Sequence, residues 1–256
     1  MLILRCFFAR SLPTYHPPSL AERPSFLSLV TRYRTGPDAP LDFFLFKGVT
    51  EYLEDLVTFT DTPKLKSFYI TFFNQINFDT PRLAQFINRT PKLRKHDAEV
   101  QFNDNIARIG LPPGTRNLEI AISCREPDWQ LSSVAQICNS SLYPLSMVED
   151  LYIDHRYLQL VWKNDAIEDT LWLELLLPFT ALKNLYISNV FAQGIAAALQ
   201  ELVGVRITEA LLSLQTIFVE GLERSGPFQE NIGKFTAARR HSNHPITTSV
   251  WDKGGR

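Results

Sequence analysis

A short alternation of apolar and polar residues recurs along the chain and predicts its strands. The clearest copy is Leu182–Ser188, in which the apolar residues Leu185 and Ile187 alternate with Tyr186 and Ser188. Alternation with a period of two is typical of a β-strand that buries one face. Similar sequences occur at Leu65–Thr71, Val148–Asp154 and Leu214–Glu220, with weaker copies at Leu93–Val100 and Asn117–Ser123. The chain is therefore expected to build several equivalent strands.

The copies are spaced like the units of a repeat protein. Counted from their first apolar residue, they begin at residues 65, 93, 118, 148, 182 and 214, with steps of 28, 25, 30, 34 and 32 residues. Self-similarity at this period indicates a solenoid, and a Leu-x-x-Leu-x-Leu kernel is typical of a leucine-rich repeat.

Helical patterns lie between these strands. Apolar residues recur there every three or four positions, and Thr, Asp and Pro stand where helices begin or end. The predicted helices cover residues 51–60, 81–90, 131–138, 165–177, 193–214 (with Gly204 as a candidate break) and 229–240, and further strands are predicted at 41–46 and 246–251. The Gly110–Gly114 stretch contains two prolines and is predicted to be a loop.

Strands that alternate with helices in units of this length are expected to pair in parallel. An open solenoid and a doubly wound sheet both meet that condition. Strands of a doubly wound sheet read as continuous apolar runs because both faces are buried. Here Asn184 and Ser188 interrupt the apolar residues. The favoured fold is therefore an α/β, leucine-rich-repeat-like solenoid (horseshoe), with a parallel concave sheet of six or seven strands and helices on the convex side.

The same patterns divide the chain into three segments. Residues 1–36 are expected to be a poorly ordered or atypical N-terminal segment, residues 37–225 the solenoid, and residues 226–256 a C-terminal capping segment. The first segment is rich in proline and has no acidic residue before Glu22, a composition that an organellar presequence shares. A poorly ordered leader is the favoured interpretation.

Composition narrows the classes of partner. The 256 residues carry a net charge of −1, which gives no general attraction to nucleic acid or to an anionic membrane. No apolar run approaches the length of about 18 residues that a membrane span needs. The three cysteines, Cys6, Cys124 and Cys138, show no paired spacing and are expected to be reduced core residues. A cytoplasmic or nuclear protein is the expectation.

Motifs for catalysis, cofactors or metals are not found in the sequence. The phosphate-cradling glycine motifs and the nucleophile-elbow motif are both absent. His241 and His244 lack further ligands at metal-site spacing and are interpreted as a solvated tail, while His155 has no Ser or Cys partner implied by the sequence. We therefore expect neither an enzyme nor a cofactor or metal site. A doubly wound α/β enzyme with an unrecognised site is the alternative.

Aligned strands predict an aromatic column on the outward face. The position between the last two core residues holds Tyr69, Ala121, Tyr152, Tyr186 and Phe218. Polar residues flank it, and Glu119, Asp154 and Glu220 are the acidic ones that we assign with the aromatic residues to the binding face. Aromatic residues within a polar frame are typical of protein-binding surfaces. They also stabilise sheets through lateral pairing, which is an equally weighted interpretation.

Several segments resemble a known family. They are TFFNQINFDTPRLAQFINRTPKL, AISCREPDWQLSSVAQICNSS, MVEDLYI, LWLELLLPFTALKNLYIS and ALQELVG. These are similar to the C-terminal leucine-rich region of a large group of fungal (basidiomycete, mushroom-type) F-box-domain-containing proteins, over roughly residues 38–251.

The resemblance implies the substrate-recognition arm of a cullin-based ubiquitin ligase, with a protein substrate as its partner. Such proteins begin with an F-box, a Leu-Pro-containing three-helix motif that binds the ligase adaptor. Residues 1–36 contain no recognisable F-box. Binding of the adaptor would therefore require an F-box outside this chain, and a free-standing interaction scaffold is the alternative.

Overall fold

The structure is a computed structural model of the chain. It describes residues 4–6, 29–33, 43–60, 65–73, 78–90, 93, 97–110, 118–124, 126–140, 145–155, 169–203, 210–221 and 226–252. In the first two of these ranges only the backbone is described.

The described strands and helices alternate along most of the chain. The strands are β1 (Leu4–Cys6), β2 (Leu29–Tyr33), β3 (Phe43–Gly48), β4 (Ser67–Phe73), β5 (Asp97–Phe102), β6 (Ile106–Gly110), β7 (Leu118–Ser123), β8 (Asp150–His155), β9 (Asn184–Ile187), β10 (Thr216–Glu220) and β11 (Thr247–Trp251). The helices are α1 (Thr50–Thr58), α2 (Pro81–Asn88), α3 (Pro127–Asn139), α4 (Asp169–Leu176), α5 (Asn189–Glu201) and α6 (Pro227–His241), with a 3₁₀ turn at Leu145–Met147.

The described strands form one mostly parallel sheet, so the fold is α/β. Their order is β1-β2-β3-β4-β7-β6-β5-β8-β9-β10-β11. The pairings on either side of β2 and of β6 are antiparallel, and the other six pairings are parallel. From β8 to β11 the strands follow chain order, as successive repeat units would.

Strand order departs from chain order between β4 and β8, where β5, β6 and β7 lie in reverse. A tight turn joins β5 to β6: the side-chain Oδ1 of Asn103 accepts hydrogen bonds from the backbone N–H groups of Asn105 (3.1 Å) and Ile106 (2.8 Å). Strand β6 was not predicted from the sequence. It ends at Gly110, the first residue of the predicted loop, and the remainder of that loop lies outside the described residues.

The helices pack against one face of the sheet. Inward strand residues and helix residues share one apolar core: Phe68 lies 5.0 Å from Phe44 and 5.4 Å from Phe86 of α2 between ring centroids. Outward residues of the same strands are mostly partly exposed. All of the strand residues predicted to be inward are buried, which confirms the alternation: Leu65, Phe68, Ile70, Leu151, Ile153, Leu185, Ile187, Ile217 and Val219.

Helix positions agree with the sequence in number but differ in extent. Pro81, Pro127 and Pro227 stand in the first turns of α2, α3 and α6, where a missing N–H is tolerated. The helical stretch predicted over residues 193–214, with Gly204 as a candidate break, differs in its bounds: α5 begins at Asn189 and ends at Glu201. Gly204 lies outside the described residues. Leu211 then adopts a positive φ of 52°, which no helix residue has, before the chain enters β10.

The division into three segments stays a prediction. Strands β1 and β2 fall within residues 1–36, and most of that segment lies outside the described residues. Strand β11 pairs with β10 at the far edge of the sheet. In the part of the chain described, no helix has the length and apolar character needed to cross a membrane.

Cys138 is expected to resist alkylation until the protein unfolds. Its thiol is buried in α3, and burial raises the pKa of the Cys138 thiol because the thiolate would lose its hydration. Treatment with iodoacetamide followed by peptide mass spectrometry should find Cys138 unmodified in the native protein and modified in denaturant. Rapid modification of native Cys138 would contradict the packing of α3.

Candidate functional site

Strand pairing sets the outward side chains in rows across the open face, the face opposite the helices. We define the central row by the residues that the pairing places side by side: Leu45, Tyr69, Glu119, Gly110, Glu99, Tyr152, Tyr186, Phe218 and Ser249. The row crosses the sheet from β3 to β11. The order of residues in this row shows which of the predicted site residues are neighbours.

The predicted aromatic column was wrong at β7. Ala121 lies opposite Thr71 and Arg108, one row away, and Glu119 occupies the central row beside Tyr69. The alignment error is two residues. A one-residue error would turn buried side chains outward, whereas a two-residue error leaves Leu118, Ile120 and Ile122 on the buried face. The apolar pattern therefore fits either register equally well.

Three aromatic residues form a continuous stack on β8, β9 and β10, which we call the aromatic stack: Tyr152, Tyr186 and Phe218. The ring centroids of Tyr152 and Tyr186 are 4.2 Å apart at 13°, and those of Tyr186 and Phe218 are 4.5 Å apart at 6°. Trp251 of β11 lies across them, 5.8 Å from Tyr186 and 6.1 Å from Tyr152. All three stacked rings are partly exposed, so their edges are accessible on the open face.

Tyr69 does not belong to the aromatic stack. Its ring packs against Phe43 at 5.2 Å between centroids. Glu119, Gly110 and Glu99 separate it from Tyr152 in the central row. The inserted hairpin of β5 and β6 therefore divides the predicted column into two parts, and only the part on β8–β10 is continuous.

The three acidic residues predicted for the binding face, Glu119, Asp154 and Glu220, also differ in their surroundings. Glu119 forms an ion pair with Arg108, with 3.7 Å between its Oε1 and the Nη1 of the arginine. Asp154 is only 5% exposed, so the assignment of Asp154 to the exposed frame is corrected. Glu220 remains partly exposed, and its Oε2 accepts a hydrogen bond of 2.6 Å from the Ser188 hydroxyl. Of these three residues, Asp154 and Glu220 lie near the aromatic stack.

A polar cluster lies at the carboxyl ends of β8, β9 and β10, and we call it the strand-end cluster: Asp154, His155, Ser188 and Glu220. His155 Nδ1 lies 2.7 Å from the hydroxyl oxygen of Ser188 and 4.0 Å from Oδ1 of Asp154. The backbone N–H of His155 donates to that same Oδ1 at 2.7 Å. The expectation that His155 has no serine partner was therefore wrong.

The proton arrangement in the strand-end cluster does not match an activated serine. The Ser188 hydroxyl donates its proton to the Glu220 carboxylate, so its oxygen accepts from Nδ1–H of His155. An activated serine would instead donate to the imidazole. Ser188 is also fully buried, immediately before the first residue of α5. The geometry therefore supports binding or structural roles for this cluster rather than nucleophilic attack.

Three kinds of comparison with known proteins return nothing. No protein-family model matches the chain, and no curated protein and no solved structure matches it either. The resemblance to fungal F-box-domain-containing proteins therefore stays a prediction.

The sequence pattern indicated part of the strand-end cluster. Asp154, Ser188 and Glu220 occupy equivalent positions in three copies of the strand pattern. Parallel strands end at the same edge of a sheet, where side chains from consecutive units converge. The equivalent positions predicted neighbouring side chains, but His155, one residue beyond them, carried no pattern of its own.

Proposed function

We propose that the chain is a protein-binding module that uses the open face around the aromatic stack. The observation that supports this most is a set of partly exposed aromatic rings, Tyr152, Tyr186 and Phe218, on a sheet face that the described helices leave uncovered. Aromatic anchors bordered by polar groups are the usual sites of high binding energy in protein interfaces. Binding of this kind needs no catalysis and no cofactor.

The finer proposal is a leucine-rich-repeat-like solenoid that recognises substrates for a ubiquitin ligase in the cytoplasm or nucleus. Chain-order parallel strands from β8 to β11 with helices on one face support the repeat architecture. The hairpin of β5 and β6 is a departure from it. The ligase role rests on the sequence resemblance alone, and a free-standing interaction scaffold is the competing function.

The stack is suited to serve as a rigid anchor. Tyr186 lies between two rings, so its side chain is already ordered before a partner arrives. Ordering a side chain on binding costs about 0.5–1.5 kcal/mol, and a preordered ring avoids most of that cost. A partner with an apolar or cationic group would cover the ring edges, while Glu220 on the border of the stack favours basic residues.

Replacing Tyr186 with alanine is expected to weaken partner binding about 30-fold, since a central aromatic anchor contributes about 2 kcal/mol. Quantitative affinity purification from the native organism, with wild-type and variant chains as baits, would identify the partner, and titration of that partner would give the dissociation constants. Tyr69→Ala is the matched control, because Tyr69 lies on the same face but outside the stack.

Truncation of Tyr186 also removes two stacked ring pairs, each worth about 0.5–1.5 kcal/mol of stability. Thermal unfolding must therefore accompany the binding measurement, and Tyr186→Phe keeps the stack while it removes the hydroxyl. Equal losses from Tyr69→Ala and Tyr186→Ala would contradict an anchor at the stack. Unchanged binding by a folded Tyr186→Ala chain would place the interface elsewhere.

The same purification distinguishes the two finer functions. Recovery of a cullin and its adaptor, at a level that Tyr186→Ala leaves unchanged, would support a ligase receptor that uses the stack for substrates only. Recovery of other proteins without ligase components would support a free-standing scaffold.

A further inference from the structure

We propose that the strand-end cluster is a binding site for a divalent transition-metal ion such as Zn²⁺, with Asp154, His155 and Glu220 as its protein ligands. One ligand atom from each of these side chains lies within 4.8 Å of the other two. The site uses none of the rings of the aromatic stack, and Glu220 is the residue that both borders the stack and belongs to the site.

The convergence of the ligands is not a consequence of strand adjacency. Asp154 and Glu220 stand on β8 and β10, with β9 between them. Two strand spacings amount to about 9.6 Å between backbones, yet the two carboxylates approach each other to within 4.8 Å. The residue between them is Ser188, which follows β9 and donates its hydroxyl proton to Oε2 of Glu220 at 2.6 Å.

The donor set matches the preferences of Zn²⁺ and its neighbours in the first transition series. One imidazole nitrogen and two carboxylate oxygens are common ligands of these ions, which accept mixed nitrogen and oxygen donors. Ligands at about 2.0–2.1 Å from a tetrahedral Zn²⁺ lie about 3.3–3.5 Å apart. His155 Nδ1 and Asp154 Oδ1 are 4.0 Å apart. Ligation through Nδ1 would require its proton to move to Nε2 and would replace the hydrogen bond to the Ser188 hydroxyl.

Burial and charge favour a cation at this point. Asp154 is 5% exposed, and a second carboxylate, that of Glu220, approaches it closely. Two carboxylates held together repel each other, and a divalent cation between them neutralises both charges. The backbone N–H of His155 donates to Asp154 and fixes that ligand, as groups around metal ligands commonly do.

The Ser188 hydroxyl lies where an ion would approach. It is 2.7 Å from His155 Nδ1 and 2.6 Å from Glu220 Oε2. A purely structural hydrogen-bond network of Ser188 would produce these two contacts without any metal. The two accounts differ in their response to Ser188→Ala, which removes the network but leaves all three proposed ligands.

The test is calorimetric titration of the untagged 256-residue chain, treated with EDTA and desalted, with Zn²⁺ alone. We expect saturable binding of one ion per chain, weakened at least about tenfold by His155→Gln and by Glu220→Gln. Titration with Co²⁺ should produce visible absorption bands that His155→Gln abolishes. Ser188→Ala should bind Zn²⁺ at least as tightly as the wild type.

Two controls distinguish binding at the strand-end cluster from binding elsewhere on the chain. Asp150→Asn changes a carboxylate on the same face at the opposite end of β8, and it should leave Zn²⁺ binding unchanged. His241→Gln/His244→Gln removes the exposed histidine pair at the end of α6. Loss of binding in that double variant, or retained binding in folded His155→Gln, would overturn the proposal. Absence of saturable binding in the wild type, or its loss in folded Ser188→Ala, would overturn it as well.

Discussion

Leu185→Ala should destabilise the protein by about 2–5 kcal/mol, the usual cost of replacing a fully enclosed leucine with alanine. Leu185 lies on β9, the third strand from the β11 edge of the sheet, between Leu151 of β8 and Ile217 of β10. All three side chains are completely buried. The truncation would leave a cavity on the helix-facing side of β9, where the side chain of Leu185 is enclosed. Chemical denaturation followed by circular dichroism would measure the change.

Leu177→Ala is the matched control for this experiment. Leu177 follows α4 and is 41% exposed, so its truncation creates no enclosed cavity and should change stability by less than about 1 kcal/mol. A similar small effect at Leu185 would show that the β9 side chains do not lie in the core. Because alternation fixes which face is buried, that result would also contradict the outward position of Tyr186.

The strands that the sequence predicts best are those with strong alternation and a one-sided environment. Leu185 and Ile187, for example, face the helices while Tyr186 faces outward, so the polarity of each residue indicates the face on which it lies. Strand β6 was not predicted in this way. Its residues Ile106–Gly110 belong to no repeat unit. The turn before it depends on the side chain of Asn103 and on a long-range hydrogen bond from Gln130 to the carbonyl oxygen of Asn103 (2.9 Å). An interpretation based on repeat units therefore did not predict β6.

The candidate site was predicted only in part, because its geometry depends on register and on long-range contacts. Tyr152, Tyr186 and Phe218 stack as expected, since β8, β9 and β10 are consecutive units in the same register. Tyr69 lies in the same row but apart from them, because β7, β6 and β5 stand between β4 and β8 in the sheet. The two-residue displacement of β7, which the apolar pattern does not detect, misplaced Ala121. His155 meets Ser188 across 33 residues of sequence, a contact that only the folded sheet creates.

Arg239 is the clearest case of a structural residue that the sequence does not reveal. It lies on α6 among charged neighbours and reads as a surface residue, yet it is completely buried. Its Nη2 donates to the carbonyl oxygens of Leu211 (3.0 Å) and Leu212 (3.2 Å), and its Nη1 to that of Ala210 (3.5 Å). Burial lowers the pKa of the Arg239 guanidinium because it removes hydration from the cation.

The guanidinium therefore connects α6 to the turn that leads into β10. Leu211 in that turn has a φ of 52°, a conformation that a leucine adopts only when its surroundings hold it there. The planar fork of arginine reaches adjacent carbonyl oxygens at once, which the single ammonium group of a lysine does not reproduce. Arg239 thus contacts the turn that leads into β10, the strand that carries Phe218 and Glu220.

Arg239→Ala is expected to cost about 3–5 kcal/mol, since it removes the guanidinium hydrogen bonds to the turn before β10 and opens a cavity. Arg239→Lys should recover only part of that loss. The neighbouring Arg240 is exposed, so Arg240→Ala should leave unfolding by denaturant nearly unchanged and serves as the control. Hydrogen exchange adds a local measurement: Arg239→Ala should speed exchange in β10 and β11 more than in β4. Equal stability of the two alanine variants would mean that the guanidinium is not enclosed, and uniform acceleration across the sheet would mean that it does not act through the turn before β10.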